Sequence, residues 1–315
     1  MNILVTGGAG FIGSHVIDFL IERGDSVICI DSFDNSYDVE IKVNNIEPHS
    51  TNRNFRVYKC DVKNMGALNL IFENEKIDKI IHLAATTGIK SSIENPLNCF
   101  ESNINGAVIL LEMAKKYKIK NFVFASSSAV YGNVKGTTFT EDEELLPLSP
   151  YGAAKIASEK ICYAYHKLYN IPVTCLRLFT VYGPRVRPHT ATYDFANAII
   201  NNETVKIYGD GESKRDFVYV SDVVDGIISA VDLDLPFEII NLGTSEVVSV
   251  NKVLSLISKE LGKEVKIEKL PKREGESDFT QANLSKAKNL LNYEPKVKIE
   301  DGIKKFVSWF LENKK

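Results

Sequence analysis

The stretch that constrains this chain most is TGGAGFIG at residues 6–13. It follows a short apolar run at residues 3–5, which predicts a buried strand, and precedes apolar residues at helical spacing in residues 14–23. A strand that turns through glycines into a helix is typical of a phosphate-binding site. The first helical N–H groups lack partners there, and the positive end of the helix dipole faces the turn.

The glycines of this stretch have separate predicted roles. Gly7 permits the tight turn, Gly10 lets the backbone approach a pyrophosphate, and Gly13 lets the helix pack against the strand. Asp31 ends a second apolar run, where its carboxylate can hold ribose hydroxyls and repel a 2′-phosphate, so NAD is favoured over NADP. The alternative is a purely structural turn with a surface aspartate. The predicted cofactor contacts of the turn are Gly7, Gly10, Phe11, Ile12 and Gly13.

Composition excludes several classes of function. The chain has 315 residues and a net charge of −3 without a basic stripe, which argues against a nucleic-acid partner. Its five cysteines are scattered and form no C-x-x-C pair, so we predict free thiols, no metal site and a cytoplasmic protein. No apolar run approaches the length of a membrane span, and we expect no membrane association.

Apolar runs alternate with helix-period segments through the first 180 residues. This pattern predicts an α/β fold with a Rossmann-type, doubly wound parallel sheet. We predict an NAD-binding domain over residues 1–180, joined by a returning strand near 237–241, and a smaller α/β substrate-binding region over 181–315. Strands are predicted at 3–5, 27–30, 55–58, 79–83, 122–125, 173–178 and 205–208, and helices at 13–23, 63–73, 97–117, 150–169, 191–201, 221–232, 249–261, 284–291 and 300–312.

Three residues predict proton-transfer chemistry. Tyr151 and Lys155 lie four apart on a predicted helix and therefore share a face, and Ser127 ends the predicted strand before it. A free phenol, with a pKa of about 10, is a poor base near neutrality. Lys155 and an oxidised nicotinamide, both cationic, are expected to lower that pKa, while Ser127 hydrogen-bonds the reacting oxygen. This arrangement suits removal of a sugar hydroxyl proton as hydride leaves the same carbon.

The chain resembles the extended short-chain dehydrogenase/reductase family, the nucleotide-sugar epimerases and dehydratases. The motifs that carry the resemblance are TGGAGFIG, HLAA at 82–85, SSSAVYG at 126–132, YGAAK at 151–155, RLFTVYGPRVRP at 177–188, RDFVYVSDV at 215–223 and REG at 273–275. The resemblance implies catalytic roles for Ser127, Tyr151 and Lys155. It also implies cofactor contacts for Asp61, Val62, Leu83, Ala84, Ala85, Lys90, Tyr151 and Lys155, and nucleotide-sugar contacts for Ser127, Asn103, Arg215, Arg273 and Asp278.

The resemblance further implies a homodimer, paired through the helices near 97–117 and 150–169. His82 is expected to be a structural hydrogen-bonding residue. The positions after Ser127 are Ser128 and Ala129, where 4,6-dehydratases carry an Asp-Glu pair and sugar-nucleotide decarboxylases a Glu. Without those carboxyl groups, the resemblance favours 4-epimerisation, in which hydride leaves C4 and returns to the other face of a 4-keto sugar.

The sugar carried by the nucleotide substrate is the last property to assign. The chain is most like UDP-glucuronate 4-epimerases, and Thr180, Arg187 and Ser128 suit a C6 carboxylate. His189-Thr190-Ala191 departs from the Asp-Met-Ala usual in those enzymes, and a small Thr280 leaves room for N-acetyl groups. UDP-glucose/UDP-galactose and UDP-GlcNAc/UDP-GalNAc therefore stay open as substrates. An NAD(H)-dependent oxidoreductase acting on a nucleotide keto-sugar is a further alternative.

Overall fold

A computed structural model describes residues 1–133 and 138–313. Its centre is a seven-stranded sheet in the order β3-β2-β1-β4-β5-β6-β11, in which every neighbouring pair is parallel. The strands are β1 (Asn2–Thr6), β2 (Ser26–Asp31), β3 (Phe55–Lys59), β4 (Lys79–His82), β5 (Asn121–Ser127), β6 (Val173–Leu178) and β11 (Phe237–Leu242). The prediction of a doubly wound parallel sheet is confirmed.

The direction of strand succession reverses between β1 and β4. In open α/β sheets the crevice at such a reversal, outside the carboxyl ends of the strands, is where ligands bind. The residues that follow β1, β2, β4, β5 and β6 meet at this edge. The candidate residues read from the sequence therefore come from separate parts of the chain to one place.

Helices cover both faces of the sheet, and the apolar side chains form one core cluster on each face. Over the described residues the helices are α1 (Phe11–Glu22), α2 (Val39–Ile46), α3 (Met65–Asn74), α4 (Ile89–Glu94), α5 (Pro96–Phe100), α6 (Gly106–Lys116), α7 (Pro150–Tyr169), α8 (Ala191–Ile200), α9 (Val220–Asp232), α10 (Val250–Leu261), α11 (Ser285–Leu291) and α12 (Ile299–Asn313). None of them is both long and apolar enough to cross a bilayer.

The C-terminal region contributes three small two-stranded sheets. They pair β7 (Thr180–Tyr182) with β10 (Phe217–Tyr219), β8 (Val205–Tyr208) with β13 (Ile267–Leu270), and β9 (Lys214–Arg215) with β12 (Val248–Ser249). The returning strand is present, because β11 pairs with β6 along its length. The division of the chain at residue 180 stays a prediction.

Two local predictions differ from the structure. The polar stretch after β2, where no helix was predicted, contains helix α2, whose buried side chains include Lys42 and Asn45. Their burial depends on tertiary hydrogen bonds, so no apolar period marks this helix. The single helix predicted at 97–117 consists of α5 and α6 joined by a π-helical turn, Glu101–Asn105.

Candidate active site

The glycine turn has little room for side chains. A Cβ on Gly7, where φ is 66°, would lie 2.8 Å from the backbone nitrogen of Ala84, and one on Gly13 would overlap the carbonyl oxygen of Gly7. Helix α1 starts after Gly10 without a capping side chain. Its first N–H groups, those of Phe11, Ile12 and Gly13, therefore face the turn as donors for an anion. The turn fits the pyrophosphate of a dinucleotide.

Asp31 lies at the carboxyl end of β2, beside the same turn. Its carboxylate accepts hydrogen bonds from the backbone N–H groups of Ala9 (3.2 Å) and Phe33 (2.9 Å). The ammonium of Lys42 lies 4.0 Å from Asp31 and donates to the carbonyl of Asp34 at 3.0 Å. Burial raises the pKa of Asp31, and these hydrogen bonds together with Lys42 oppose the rise. A fixed carboxylate here suits the two hydroxyls of an adenine ribose.

Helix α2 supports this site in a way that sequence reasoning missed. Asn45 donates from Nδ2 to the carbonyl of Ala9 at 2.9 Å, which ties α2 to the glycine turn. Lys42 is buried beside the Tyr37 ring, with 4.8 Å between Nζ and the ring centroid. Polar residues buried in a polar stretch leave no periodic pattern, and so no sequence signal marked them.

The segment after β4 forms the opposite wall. The backbone N–H of Leu83 donates to the Thr6 carbonyl, and that of Ala84 donates to the Thr6 hydroxyl, both at 3.2 Å. Ala85 follows, partly exposed. The His82 Nδ1 lies 2.7 Å from the same hydroxyl, and burial lowers the pKa of His82 to about 3. His82 is thus a neutral, buried hydrogen-bonding residue in this structure.

The structure brings Ser127, Tyr151 and Lys155 together. Ser149 caps helix α7 by accepting from the Gly152 N–H at 3.2 Å, and Tyr151 lies in the first turn. The Tyr151 hydroxyl is hydrogen-bonded to Ser127 at the end of β5. Lys155 Nζ donates to the Ala125 carbonyl at 2.7 Å and lies 5.8 Å from the centre of the Tyr151 ring.

The electrostatics of this group differ from the expectation in one respect. Burial raises the pKa of Tyr151, and the opposing influences are the Ser127 hydrogen bond and the charge of Arg187, not that of Lys155. Burial also lowers the pKa of Lys155 to about 8. A phenolate at Tyr151 is therefore favoured by a serine and an arginine among the protein's own groups. The positive charge of a bound, oxidised nicotinamide acts in the same direction.

Arg187 lies in the loop after β7, next to the catalytic group. Its Nη2 would be 3.5 Å from a Cβ placed on Gly88, and its charge reaches the phenols of both Tyr151 and Tyr37. Thr180 opens β7, and its backbone N–H donates to the Asp216 carbonyl at 3.0 Å. Ser128 begins a short 3-10 turn directly after Ser127.

The two predicted phosphate-binding arginines share a carboxylate. Arg215 and Arg273 lie 4.0 and 3.6 Å from the carboxylate oxygens of Glu276. The guanidinium of Arg273 also stacks over the Tyr208 ring, 3.6 Å from its centroid. Asp278, the acid that sequence reasoning selected, pairs with Lys272 instead. Glu276 was missed: it lies only three residues after Arg273, but its proximity to Arg215 depends on tertiary structure.

Three further residues that the sequence analysis placed at or near the ligands are Lys90, Asn103 and Thr280. Lys90 is 71% exposed and pairs with Glu94 at 3.7 Å, and its contact with the cofactor stays a prediction. Asn103 is buried, and its Nδ2 donates to the Thr86 carbonyl at 3.0 Å; its contact with the substrate also stays a prediction. Thr280 is likewise buried, and its hydroxyl accepts from the Asp216 N–H.

Asp61 and Val62 are the residues predicted to lie beside the adenine of NAD. Val62 is buried against Gly106 of helix α6, because a Cβ on that glycine would lie 2.9 Å from Val62 Cγ2. Asp61 is half-exposed, accepts from the backbone N–H of Lys63 at 2.9 Å, and follows β3 at the ligand edge. Contact of Asp61 and Val62 with an adenine stays a prediction.

Comparison with known proteins defines the class. The family model described as GDP-mannose 4,6 dehydratase matches residues 4–306. The chain is 40% identical to a UDP-glucuronate 4-epimerase of Thermodesulfobacterium geofontis, over 98% of this chain and 96% of that relative. The chain thus belongs to the extended short-chain dehydrogenase/reductase family of nucleotide-sugar epimerases and dehydratases.

Two solved structures resemble the whole chain. One is a UDP-glucuronic acid 4-epimerase from Bacillus cereus in complex with UDP-glucuronic acid and NAD, at a TM-score of 0.94, 35% identity and 99% coverage of both chains. The other is a UDP-glucose 4-epimerase from Thermotoga maritima with UDP-glucose, at a TM-score of 0.92, 37% identity and 100% coverage of both chains. The predicted family is confirmed.

Proposed function

We propose that this protein is an NAD-dependent 4-epimerase that interconverts UDP-glucuronate and UDP-galacturonate. The observation that carries the proposal is the assembly of Ser127, Tyr151 and Lys155, with the guanidinium of Arg187 close enough for its charge to act on the phenol. The relatives named as UDP-glucuronate 4-epimerases, and the solved relative that holds UDP-glucuronic acid and NAD, support the same substrate and cofactor.

The cofactor fits the residues that surround its proposed site. The glycine turn and the first N–H groups of α1 suit its pyrophosphate, and Asp31 suits its adenine ribose. When bound, NAD supplies a reversible hydride acceptor. Because hydride returned to the same sugar leaves no net oxidation, we expect turnover without added reductant.

The protein's own part in the reaction is proton transfer. We propose that Tyr151 removes the proton of the C4 hydroxyl and later returns it, because its phenol is hydrogen-bonded to Ser127 at the cleft. Lys155 lies on the same helical face and adds a positive charge under the site. Ser128 and Ala129 follow Ser127, so no carboxyl side chain stands there to remove a proton from C5 for water loss.

Arg187 is the proposed partner of the substrate's C6 carboxylate. A guanidinium can donate two parallel hydrogen bonds to a carboxylate, and such bonds are stronger and more directional than neutral ones. Thr180 and Ser128 add hydroxyl donors from β7 and from the turn after β5. We propose Arg215 and Arg273 as ligands of the diphosphate, on the side where Glu276 lies.

A substrate panel tests the proposed function. Purified protein is incubated separately with UDP-glucuronate, UDP-glucose and UDP-N-acetylglucosamine, and products are identified by NMR. We expect efficient conversion of UDP-glucuronate to UDP-galacturonate. Efficient turnover of a neutral sugar alone would retain the epimerase and reject the uronate.

Variants of the carboxylate pocket sharpen that test. R187A removes a charged hydrogen-bond partner worth roughly 1.5–3 kcal/mol, so kcat/KM for UDP-glucuronate should fall about 10- to 100-fold relative to UDP-glucose. T180V should shift the ratio in the same direction by less. The matched control is R56A, because Arg56 is an exposed residue of β3 that pairs with Glu75. Equal losses on both sugars would contradict the role of Arg187.

We also propose a cytoplasmic homodimer. All five cysteines are buried free thiols, which suits a reducing compartment. Apolar side chains are exposed on α5 and α7, with Leu97 at 74% and Leu168 at 69%. Covering them against a second copy would remove apolar surface from water. Light scattering should give twice the monomer mass, and L97E should lower it; a monomer at micromolar concentration would contradict the dimer.

A further inference from the structure

The loop that carries Arg187 has an unusual backbone. Arg185 and His189, two positions before and two after Arg187, have φ angles of 62° and 67°. Left-handed backbone is disfavoured for residues that carry a side chain, and it persists only where surrounding contacts hold it. The loop therefore has a fixed shape on both sides of Arg187, and the contacts that fix it can be identified.

On the first side, helix α1 holds the loop. Arg185 Nη1 donates to Asp18 Oδ2 at 2.6 Å, and the other carboxylate oxygen of Asp18 lies 2.7 Å from Nε2 of His49. His15, one turn earlier on α1, donates from Nε2 to the carbonyl of Pro184 at 3.0 Å. Helix α1 begins at the glycine turn, so these contacts join the proposed substrate loop to the proposed cofactor site.

On the second side, helix α8 holds the loop. The backbone N–H of His189 donates to Asp194 Oδ1 at 3.1 Å, and the Thr190 hydroxyl donates to the Arg187 carbonyl at 2.9 Å. Asp194 also lies close enough to Arg187 and Arg273 to interact with their charges. Between the contacts with α1 and those with α8, Val186 is 2% exposed and fixes the loop to the core.

We propose that Asp18 and Asp194 are positioning residues that aim Arg187 at the sugar carboxylate and so set the preference for an acidic sugar. This rests on the proposed function, because it needs Arg187 to bind a uronate. Charged hydrogen bonds between a guanidinium and a carboxylate depend on orientation. Releasing the loop at Asp18 should therefore weaken binding of the acidic sugar and leave the nucleotide contacts of Arg215 and Arg273 intact.

Binding measurements on two variants test the contacts between helix α1 and the loop that carries Arg187. Holoenzyme carrying D18A or R185G is titrated calorimetrically with UDP-glucuronate and with UDP-glucose. R185G leaves the Asp18–His49 contact in place and relieves the left-handed backbone, so it is informative even where D18A disturbs α1. Both variants should weaken the charged hydrogen bonds between Arg187 and the sugar carboxylate. We therefore expect UDP-glucuronate to bind about tenfold more weakly to both variants, and UDP-glucose to bind within twofold of wild type.

A matched control and a double-mutant cycle separate positioning from general damage. D225A, on α9, breaks the exposed ion pair between Asp225 and Lys296. It should leave the affinities for UDP-glucuronate and for UDP-glucose unchanged. In an R187A background D18A should have no further effect, because Asp18 acts through Arg187. A tenfold loss that persists in that background would overturn the proposal. The contacts between helix α8 and the loop that carries Arg187 are tested in the same way with D194A.

Failure of this inference can be told from failure of the proposed function. If wild-type protein shows no preference for UDP-glucuronate over UDP-glucose, the proposed function fails and the positioning roles fall with it. If wild type shows the preference and D18A, R185G and D194A all keep it, the positioning roles alone are overturned.

Discussion

The two sides of the cleft are built by different means. The proposed cofactor side consists of buried parallel strands, and backbone atoms define it: glycines at the turn lie against the carbonyl of Gly7 and the backbone of Ala84. The proposed substrate side consists of strands of two to four residues, and side-chain ion pairs such as Arg215–Glu276 and Arg185–Asp18 define it.

This difference teaches where specificity can change. A site made of backbone atoms tolerates few substitutions, because each added Cβ meets fixed atoms. A site made of partly exposed side chains on short strands can exchange one sugar for another without disturbing the sheet. Variants on the two sides should therefore fail in different ways, and the following predictions test that expectation from the largest effect to the smallest.

The largest effect is expected at the centre of the cleft. Y151F removes the proposed proton acceptor and keeps the ring, so kcat should fall roughly 10²- to 10⁴-fold, in the range of general acid–base catalysis. NAD and UDP affinities should stay within twofold, since neither side of the cleft is altered. Turnover is followed by NMR and binding by calorimetry. Near-normal turnover would rule out the role of Tyr151.

The next effect tests the buried network that links the returning strand β11 to strand β6 and helix α7 on the parallel-sheet side of the cleft. Arg177 is 1% exposed, pairs with Glu159 of α7 at 2.8 Å and donates to Tyr131, whose hydroxyl donates to Asn241 of β11. R177A leaves a buried carboxylate unpaired, which costs about 3–5 kcal/mol of unfolding free energy.

Urea titration followed by circular dichroism measures that loss. The control is R56A, which breaks the exposed pair with Glu75 and should cost at most about 1 kcal/mol. A loss for R177A no larger than that of the control would show that the buried pair does not stabilise the parallel-sheet side.

A smaller effect distinguishes the backbone-built side. G13A places a Cβ against the Gly7 carbonyl, so the turn must shift at a cost of about 1–3 kcal/mol of unfolding free energy, and the shifted turn should bind NAD more weakly. G66A is the matched control, because a Cβ there meets only Asn64 Oδ1 at an ordinary 3.6 Å. Cofactor binding is measured by calorimetry on apoprotein. Equal NAD affinities for the two variants would contradict the tight turn.

The smallest effect concerns acid stability. His82 has a folded pKa of about 3, lowered by burial, against about 6.5 in an unfolded chain. Between those values the unfolded chain binds one more proton, so the unfolding free energy decreases by about 1.4 kcal/mol per pH unit as the pH falls below 6.5. The stabilising contribution is complete above that pH.

H82N should reduce this slope by one proton, because asparagine does not titrate and its amide oxygen can accept from Thr6. Urea titrations of both proteins at pH 6.5, 6.0 and 5.5 measure the slope. The same slope in wild type and variant would show that His82 does not titrate on unfolding.

Much of the fold could be predicted because apolar runs dominate the sheet. The runs at 27–30 and 173–178 each gave a strand, and residues 237–241 gave the returning one. Helix α2 could not be predicted, because Lys42 and Asn45 are buried through hydrogen bonds to Asp34 and Ala9. Tertiary contacts also decide the π-helical turn within 97–117, which no local pattern marked.

The candidate site was predictable to the extent that its residues lie in motifs. The glycine turn, Asp31 and the Ser127, Tyr151 and Lys155 group meet as the spacing predicted. The Asp18–Arg185 pair was missed, because partners 167 residues apart carry no mutual sequence signal. Glu276 was missed although it lies only three residues after Arg273, because no motif marked it. The assignment of Lys90 and Asn103 rested on resemblance alone, and their contacts with cofactor and substrate stay predictions.

The most direct measurement follows C4 of UDP-glucuronate. The holoenzyme is incubated with UDP-glucuronate in deuterium oxide without added reductant, and C4 is observed by NMR. If hydride leaves and returns within one site, UDP-galacturonate forms with protium at C4 and with no net change in NADH. Deuterium at the inverted carbon, steady consumption of NADH, or no inversion at C4 would contradict a UDP-glucuronate 4-epimerase.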